Sequence, residues 1–268
     1  MPTNFTHLHL LTSYSLSCST INIDKLIKLA KKNKITTLAI TDHLNVFAAI
    51  KFYQKCIDNN IKPIIGCQIP VKYDDLGRFT PNITILCKNI DGYKSLIKLL
   101  SEIHVQKEKN KTASANISQL RKYNNGLIVL SGGRYGVIGN NLLSEDNTSK
   151  INFVKSLKKI FEDRLYVQID RGNYESEKLY NNKLLILAEE LDLPIVGTNH
   201  VLFLEKSDFD AHEVRVCINK KIKIDDRGNQ KEFSDEQYFK TEKELIDLFS
   251  DIPDAIENIS EIVKKCNI

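Results

Sequence analysis

Seven short runs of β-branched and aliphatic residues recur along the chain, at 5–10, 37–40, 63–71, 82–87, 126–130, 165–169 and 194–197. Between them the apolar residues fall at helical spacing. Leu26, Ile27, Leu29 and Ala30 form one stripe with Asp24 placed to cap it, and Val46, Ala49, Ile50, Tyr53 and Ile57 form another, closed by Asn59 and Asn60. Tyr93, Leu96, Ile97, Leu100 and His104 repeat the pattern, as do Leu179, Leu184, Leu187 and Leu191. The strand-like runs are apolar along most of their length rather than alternating. Strands behave that way when helices cover both faces of a parallel sheet. The expected fold is α/β: one domain over 1–268, with a barrel or sheet over about 5–204 and a helical extension over about 205–268. In that extension, 207–219 reads as a helix, 220–232 as a polar loop, and 241–249 and 253–266 as helices packed on the outside. The lysine-rich stretch 106–115 (QKEKNKTASA) reads as a solvated, mobile loop.

Composition limits the classes open to such a chain. With 268 residues, 42% hydrophobic and 27% charged, it can bury a core without staples, which excludes wholesale disorder. No eighteen apolar residues run together, and the start, MPTNFTHLHLLTSYS, lacks the layout of a signal peptide. Neither a membrane partner nor secretion is expected. The six scattered cysteines, with no CxxC among them, read as reduced thiols of a cytoplasmic protein. A net charge of +4, spread along the length, does not predict direct nucleic-acid binding.

In parallel α/β folds, ligands bind at the carboxyl ends of the strands. Polar residues expected at that end are His7 and His9, Thr41-Asp42-His43, Cys67-Gln68, Asn82, Ser131-Gly132-Gly133, Asp170-Arg171 and Thr198-Asn199-His200. Three histidines from separate strands, His9, His43 and His200, make a typical zinc set, with Asp42 fixing a tautomer. Histidines at strand ends are equally explained by hydrogen bonds to backbone. No GxSxG, HExxH, Walker loop or GxGxxG is present. Gly132-Gly133 is explained by a tight turn as well as by a phosphate, and Cys67 has no histidine partner readable from sequence.

The segments FTHLHLLTSYSL, LAITDHLNVFAAIKFY, IKPIIGCQIPV, GLIVLSGGRYGVIG, LPIVGTNHVLFL, DFDAHEVRVCI and DIPDAIENISEIVKKCNI, in this order, resemble one family closely. It is the PHP (polymerase and histidinol phosphatase) domain, in the form found at the N-terminus of bacterial DNA polymerase III alpha subunits. The resemblance runs from Phe5 to the end of the chain and implies a distorted seven-stranded (β/α) barrel, TIM-like, with the polymerase core absent from this chain. Active members hold three metal ions at the barrel mouth and hydrolyse phosphoesters, the cations lowering the pKa of a bridging water.

Carried over residue by residue, most of that cluster is missing. The opening histidine pair falls on His9 and Leu11, and the next acidic position on Cys18. The second motif keeps His43 beside Asp42. The remaining ligand positions fall on Gln68, Asn82 and Gly133, on His200 and Leu202, and on Arg171. Three divalent ions need several anionic oxygens, and nearly all are gone. No catalytic residue and no cofactor is expected, at most one zinc on His9, His43 and His200. Asp42, Gln68, Asn82 and Asn199 are expected to fill the pocket with hydrogen bonds, with Arg171 pairing with Asp170 or Asp42.

The resemblance thus implies a non-catalytic scaffold within a DNA-directed DNA polymerase. Its partners would be the rest of the alpha chain and a 3′–5′ proofreading exonuclease subunit, docked near the first helices and the stretch 73–79. DNA would be met through the parent polymerase. The alternatives are a working metal-dependent phosphoesterase or exonuclease, against which the lost ligands argue, and direct DNA binding, against which the charge argues.

Overall fold

The computed structural model describes residues 5–16, 18–76, 80–107, 109, 111–136, 148–173, 177–224 and 233–268. Its strands are β1 Thr37–Ile40, β2 Lys62–Lys72, β3 Asn82–Cys87, β4 Ala115–Asn116, β5 Leu127–Leu130, β6 Leu165–Asp170 and β7 Ile195–Thr198. The helices are α1 Ile23–Lys32, α2 Ala49–Ile57, α3 Ile90–Val105, α4 Ile117–Lys122, α5 Thr148–Phe161, α6 Glu177–Glu190, α7 Phe209–Lys220, α8 Glu242–Leu248 and α9 Pro253–Lys265. The sheet runs β1-β2-β3-β5-β6-β7, with β4 paired to β2.

All neighbours are parallel except β3, which runs antiparallel to both β2 and β5. The β2–β3 connection, 73–81, is too short for a helical crossover, so the chain must reverse. The reversal brings Asn82, at the start of its strand, to the end where the parallel strands finish.

Two local expectations are corrected. Residues 5–10 are not a strand. They make one bridge, Leu10 to Val201, while the Thr41 hydroxyl accepts from the Leu10 N–H at 3.0 Å and interrupts a ladder with β1. His7, one turn earlier, is drawn away by the Lys240 carbonyl, 2.9 Å from its Nε2, and by stacking on Phe239. The curled sheet is therefore closed between β7 and β1 by irregular backbone. The cap of α1 is Asn22, whose Oδ1 accepts from the N–H groups of Asp24 and Lys25 at 2.9 and 3.3 Å. Asp24 instead pairs with Lys51 and Lys55 of α2 at 3.1 and 3.0 Å.

Strand alternation sorts the core. Outward residues Cys67, Ile69, Val71, Ile83, Ile85, Val129 and Val167 pack under α3, α5 and α6, and Leu38, Ile40 and Ile65 pack under α1 and α2. Inward residues Ala39, Ile64, Leu86, Ile128, Tyr166 and Val196 join Ile256, Ile259 and Ile262 of α9 in one buried cluster.

Helix α9 is not an outside helix. It lies across the floor of the barrel: Asn258 donates to the Ile195 carbonyl, Lys62 to the Val263 carbonyl, and the Asn267 N–H to the Lys88 carbonyl. The stretch 106–115 ends in buried Ala113 and Ala115 and in the β4–β2 pairing, while 108 and 110 lie outside the described residues. Of the polar loop 220–232, residues 225–232 lie outside them too.

Candidate functional site at the barrel mouth

Above the apolar floor the same inward positions turn polar. Gln68, Thr84, Gln168, Asp170 and Thr198 are all buried there, together with His9 and His200. His9 stands at the centre, fully buried. Gln68 Nε2 lies 3.1 Å from its Nε2 and Gln168 Nε2 3.0 Å from its Nδ1.

A neutral imidazole accepts on one nitrogen only, so one of the two amides must offer its oxygen. Gln168 Nε2 is also committed to Asp170 Oδ1 at 3.1 Å. Gln68 is therefore the amide that turns, accepting from His9 Nε2–H and donating to His43 Nδ1 on its other side, 3.1 Å away. The result is a continuous chain: Asp170, Gln168, His9, Gln68, His43. Burial without a charged partner pushes His9 down to about 3 and lowers His43.

His200 stacks on His9, centroids 4.1 Å apart and planes 12° apart, with Tyr135 edge-on at 5.4 Å. Gln237 Nε2 stands 3.3 Å from His200 Nδ1, and His200 Nε2 has no hydrogen-bond partner among the described residues. Burial, and then His9, hold the His200 ring well below its ordinary pKa.

The carboxylates are occupied as well. Asp42 accepts from the Thr12 N–H at 2.6 Å, the Thr12 hydroxyl at 2.7 Å and the Ser15 hydroxyl at 2.5 Å. Burial raises its pKa, and those bonds act the other way. Asp170 accepts from the Thr198 hydroxyl and, at 3.2 Å, from the Arg134 N–H. Its Oδ2 fills the space a Cβ on Gly133 would need, 1.7 Å from the ideal position.

Several expected pocket residues sit elsewhere. Asp42 does not fix a tautomer; it clamps the loop 12–15. Arg171 pairs with neither Asp170 nor Asp42: its guanidinium reaches outward, forking onto Asp251 at 2.5 and 2.6 Å and lying over Phe249. Bidentate pairing with an exposed carboxylate avoids burying the cation. Asn199 donates to the Tyr238 carbonyl at 2.7 Å and so ties down the segment before α8. Asn82 lines a neighbouring cleft of about 650 Å³ with Pro70, Lys72, Thr80 and Lys107.

Leu11, Leu202 and Cys18, three of the departures from the resemblance, belong to one apolar cluster with Phe203 and Phe209. Gln168 was not anticipated. Its signal was the lone amide in the apolar run 165–170, on the same face as Asp170.

The arrangement does not fit a cluster of divalent cations. Lone pairs lie in the ring plane, so the stacked His9 and His200 cannot aim theirs at one ion, and Gln68 stands between His9 and His43. Among the described residues no three His, Cys, Asp or Glu side chains are grouped to hold a metal.

The curled α/β half-barrel thus carries a mouth of polar residues at its strand ends, His9, His43, Gln68 and Asp170 among them. A sequence model of the PHP domain matches residues 7–172, and the chain belongs to that family. Its relatives narrow the comparison. The chain is 35% identical over 268 residues to the DNA polymerase III subunit alpha of Pseudomonas fluorescens, covering 100% of this chain and 23% of that protein. Against the same subunit of Escherichia coli (strain K12) it is 36% identical over 264 residues, 98% of this chain and 23% of the relative. For Rickettsia bellii the figures are 34% over 266 residues, 99% and 22%. The chain thus spans under a quarter of these relatives' length. Among solved structures, an amidohydrolase from Chromobacterium violaceum, with bound sulfate and no metal, has a similar fold. Its TM-score is 0.50 at 11% identity, covering 72% of this chain and 86% of that one.

Proposed function

We propose that this chain is the PHP region of a DNA polymerase III alpha subunit, acting in DNA replication as a non-catalytic scaffold. The rest of the alpha chain is its first partner and a 3′–5′ proofreading exonuclease subunit its second, in the cytoplasm. DNA is then met by the parent polymerase, a DNA-directed nucleotidyltransferase, rather than by this region. The polymerase part of the reading is supported by alignment over the whole chain with alpha subunits. The non-catalytic part is carried by one observation: both ring nitrogens of His9 are taken by neutral glutamine amides. A phosphoesterase needs that position free for a metal and needs carboxylates beside it.

Elemental analysis of the purified chain, after incubation with zinc and manganese and removal of free ions, tests this. Fewer than about 0.2 metals per chain is the expected result. One zinc, lost in His200→Ala, would support a residual site on His9, His43 and His200 and would leave the scaffold role standing. Two or more tightly held metals would overturn it and favour the hydrolytic alternative. For the second partner, a pull-down of the purified chain with the proofreading subunit is the matching test. Retention is expected, and its loss at every concentration up to tens of micromolar would remove the docking role.

A further inference from the structure

The cleft of about 650 Å³ beside the mouth is a second concavity with a chemistry of its own. None of His9, His43, Gln68, Asp170 and His200 lines it, so it is separate from the site described above. Its volume falls in the range of about 300–1,000 Å³ usual for small-molecule sites.

Three segments build its walls. The end of β2 and the start of β3 are held in register, Pro70 opposite Asn82, and the Val71 N–H donates to the Pro81 carbonyl at 2.8 Å. On the other edge of β2, Val71 and Lys72 pair with Ala115 and Asn116. Asn116 and Gln119 then close a capping box at the start of α4. Gln119 Nε2 also donates to Gln106 Oε1 at 2.9 Å, which ties in the end of α3. Backbone pairing and the bonds of a buried amide therefore fix the shape of the cleft.

Its charge is one-sided. Lys72, Lys107 and Lys111 line it, and no Asp or Glu is among the described residues that do. Thr80, Thr112 and Ser114 add hydroxyl groups. Among the described residues, the side chains of Lys72, Lys107, Thr80, Thr112 and Ser114 make no hydrogen bond or ion pair. Glu102, one turn before Gln106 on α3, does not offset the lysines. Its carboxylate is already held by Lys122 and by the Tyr123 hydroxyl, each at 2.6 Å.

Ammonium groups around one hollow repel each other, and a concave wall concentrates their field. An anion of high charge density, bound among them, relieves that repulsion. Carboxylates along an extended peptide point to alternate sides, so only every second one could face the cleft. Bases of single-stranded nucleic acid stack on aromatic rings, and no Phe, Tyr or Trp is among the described lining residues. Linked phosphoryl groups gather several charges in a small volume and accept from ammonium and hydroxyl donors alike. We infer that this cleft binds a compact polyphosphate, a pyrophosphate or triphosphate group either free or carried by a nucleotide. The inference stands on the cleft and does not depend on the polymerase reading.

Equilibrium dialysis of inorganic tripolyphosphate against the purified chain, in metal-free buffer, tests it. One site per chain is expected, weakening as salt is raised. Lys72→Gln with Lys107→Gln should weaken binding at least tenfold. Thr112→Glu, which adds a carboxylate and removes no lysine, should do the same. Lys25→Gln with Lys28→Gln, on α1 and outside the lining, removes equal charge and should change binding less than twofold. Each variant is first shown to be folded by its urea midpoint. Binding of dATP no tighter than tripolyphosphate assigns the site to the phosphate chain, and tighter binding assigns it to a nucleotide; both support the inference. No retention at millimolar tripolyphosphate would overturn it, as would equal weakening by the α1 pair or none by the cleft pair. So would a single-stranded oligonucleotide or a polyglutamate peptide that binds at tenfold lower concentration than tripolyphosphate and is weakened by the same variants.

Discussion

The two sides of the barrel mouth are built from different kinds of side chain. On the side where residues 9–18 meet the exit of β7, Leu11, Cys18 and Leu202 share an apolar cluster with Phe203 and Phe209. On the side of β2 and β6 the side chains are polar, and Gln68, Gln168 and Asp170 hold His9 in a hydrogen-bonded chain. The difference follows from what each side could reach. The first borders phenylalanines of α7 and its approach, so an aliphatic side chain adds buried apolar contact. The second sits among strand ends whose polar atoms cannot be covered by hydrocarbon without losing partners, so amides, able both to donate and to accept, take over.

The largest effect should come from forcing ligands back onto the apolar side. Leu11→His with Leu202→His would place two imidazoles among phenylalanines. We expect a loss of about 3–6 kcal/mol in urea unfolding, from lost burial and unpaired polar groups, with no gain in zinc content. Zinc uptake without destabilisation would mean that the two sides are not as distinct as drawn.

Acid should strain the polar side next. His7 and His9 have folded pKa values of about 4 and about 3, lowered chiefly by burial, against 6.5 when unfolded. Between those values and 6.5 the unfolded chain binds protons that the folded chain does not. Stability is therefore unaffected above about pH 7 and falls as the pH drops through 6.5. The cost at pH 5 is about 2 kcal/mol per histidine. Asp42, with its raised pKa, works weakly the other way. Urea midpoints at pH 7.5, 6 and 5 give the slope, and because burial lowers His43 and His200 as well, His9→Leu should remove less than half of it. A flat profile from pH 7.5 to 5 would contradict the buried, neutral histidines.

Gly133→Ala should cost about 2–4 kcal/mol, because the residue has φ of 55° and its new methyl would meet the Asp170 carboxylate. Adding Asp170→Ala should recover part of that loss if the contact is the cause. Additive losses in the double variant would place the strain in the backbone alone.

How much of this was legible beforehand depended on distance along the chain. The runs at 37–40, 82–87 and 165–169 read correctly as buried strands because continuous apolar sequence suffices. Residues 5–10 have the same character and were misread, since what bends them is the carbonyl of Lys240 and the ring of Phe239, 233 and 232 positions beyond His7. The stripe of α9 was plain, but a stripe does not say whether it meets an outer face or a barrel floor. His9, His43 and His200 lie in one region of the mouth. Their ring orientations were not readable, because Gln68 between two of them and the stack between the others depend on rotamers. Arg171 was misplaced for a related reason: a long side chain at a strand end can turn either way, and Asp251 lies outside.

Gln68→Glu should have the smallest effect and divides the two sides most sharply. Glutamate has the shape of glutamine but can only accept, so both flanking rings must present N–H. His9 already donates from Nε2 in the chain deduced above, and only His43 must move its proton to Nδ1. The burial of a charge is then offset by two charge-assisted bonds, and we expect a change within about 1 kcal/mol at pH 7.5. A carboxylate beside His43 favours its protonated form and raises its folded pKa, so the variant should lose less stability than the parent as the pH falls through 6.5. The urea midpoints of the two proteins should therefore converge or cross between pH 7.5 and 5.5. Parallel losses would mean that position 68 and His43 are not coupled. Tight metal binding by this single variant would mean that the apolar side, with Leu11 and Leu202 in place, still leaves room for a metal at the mouth.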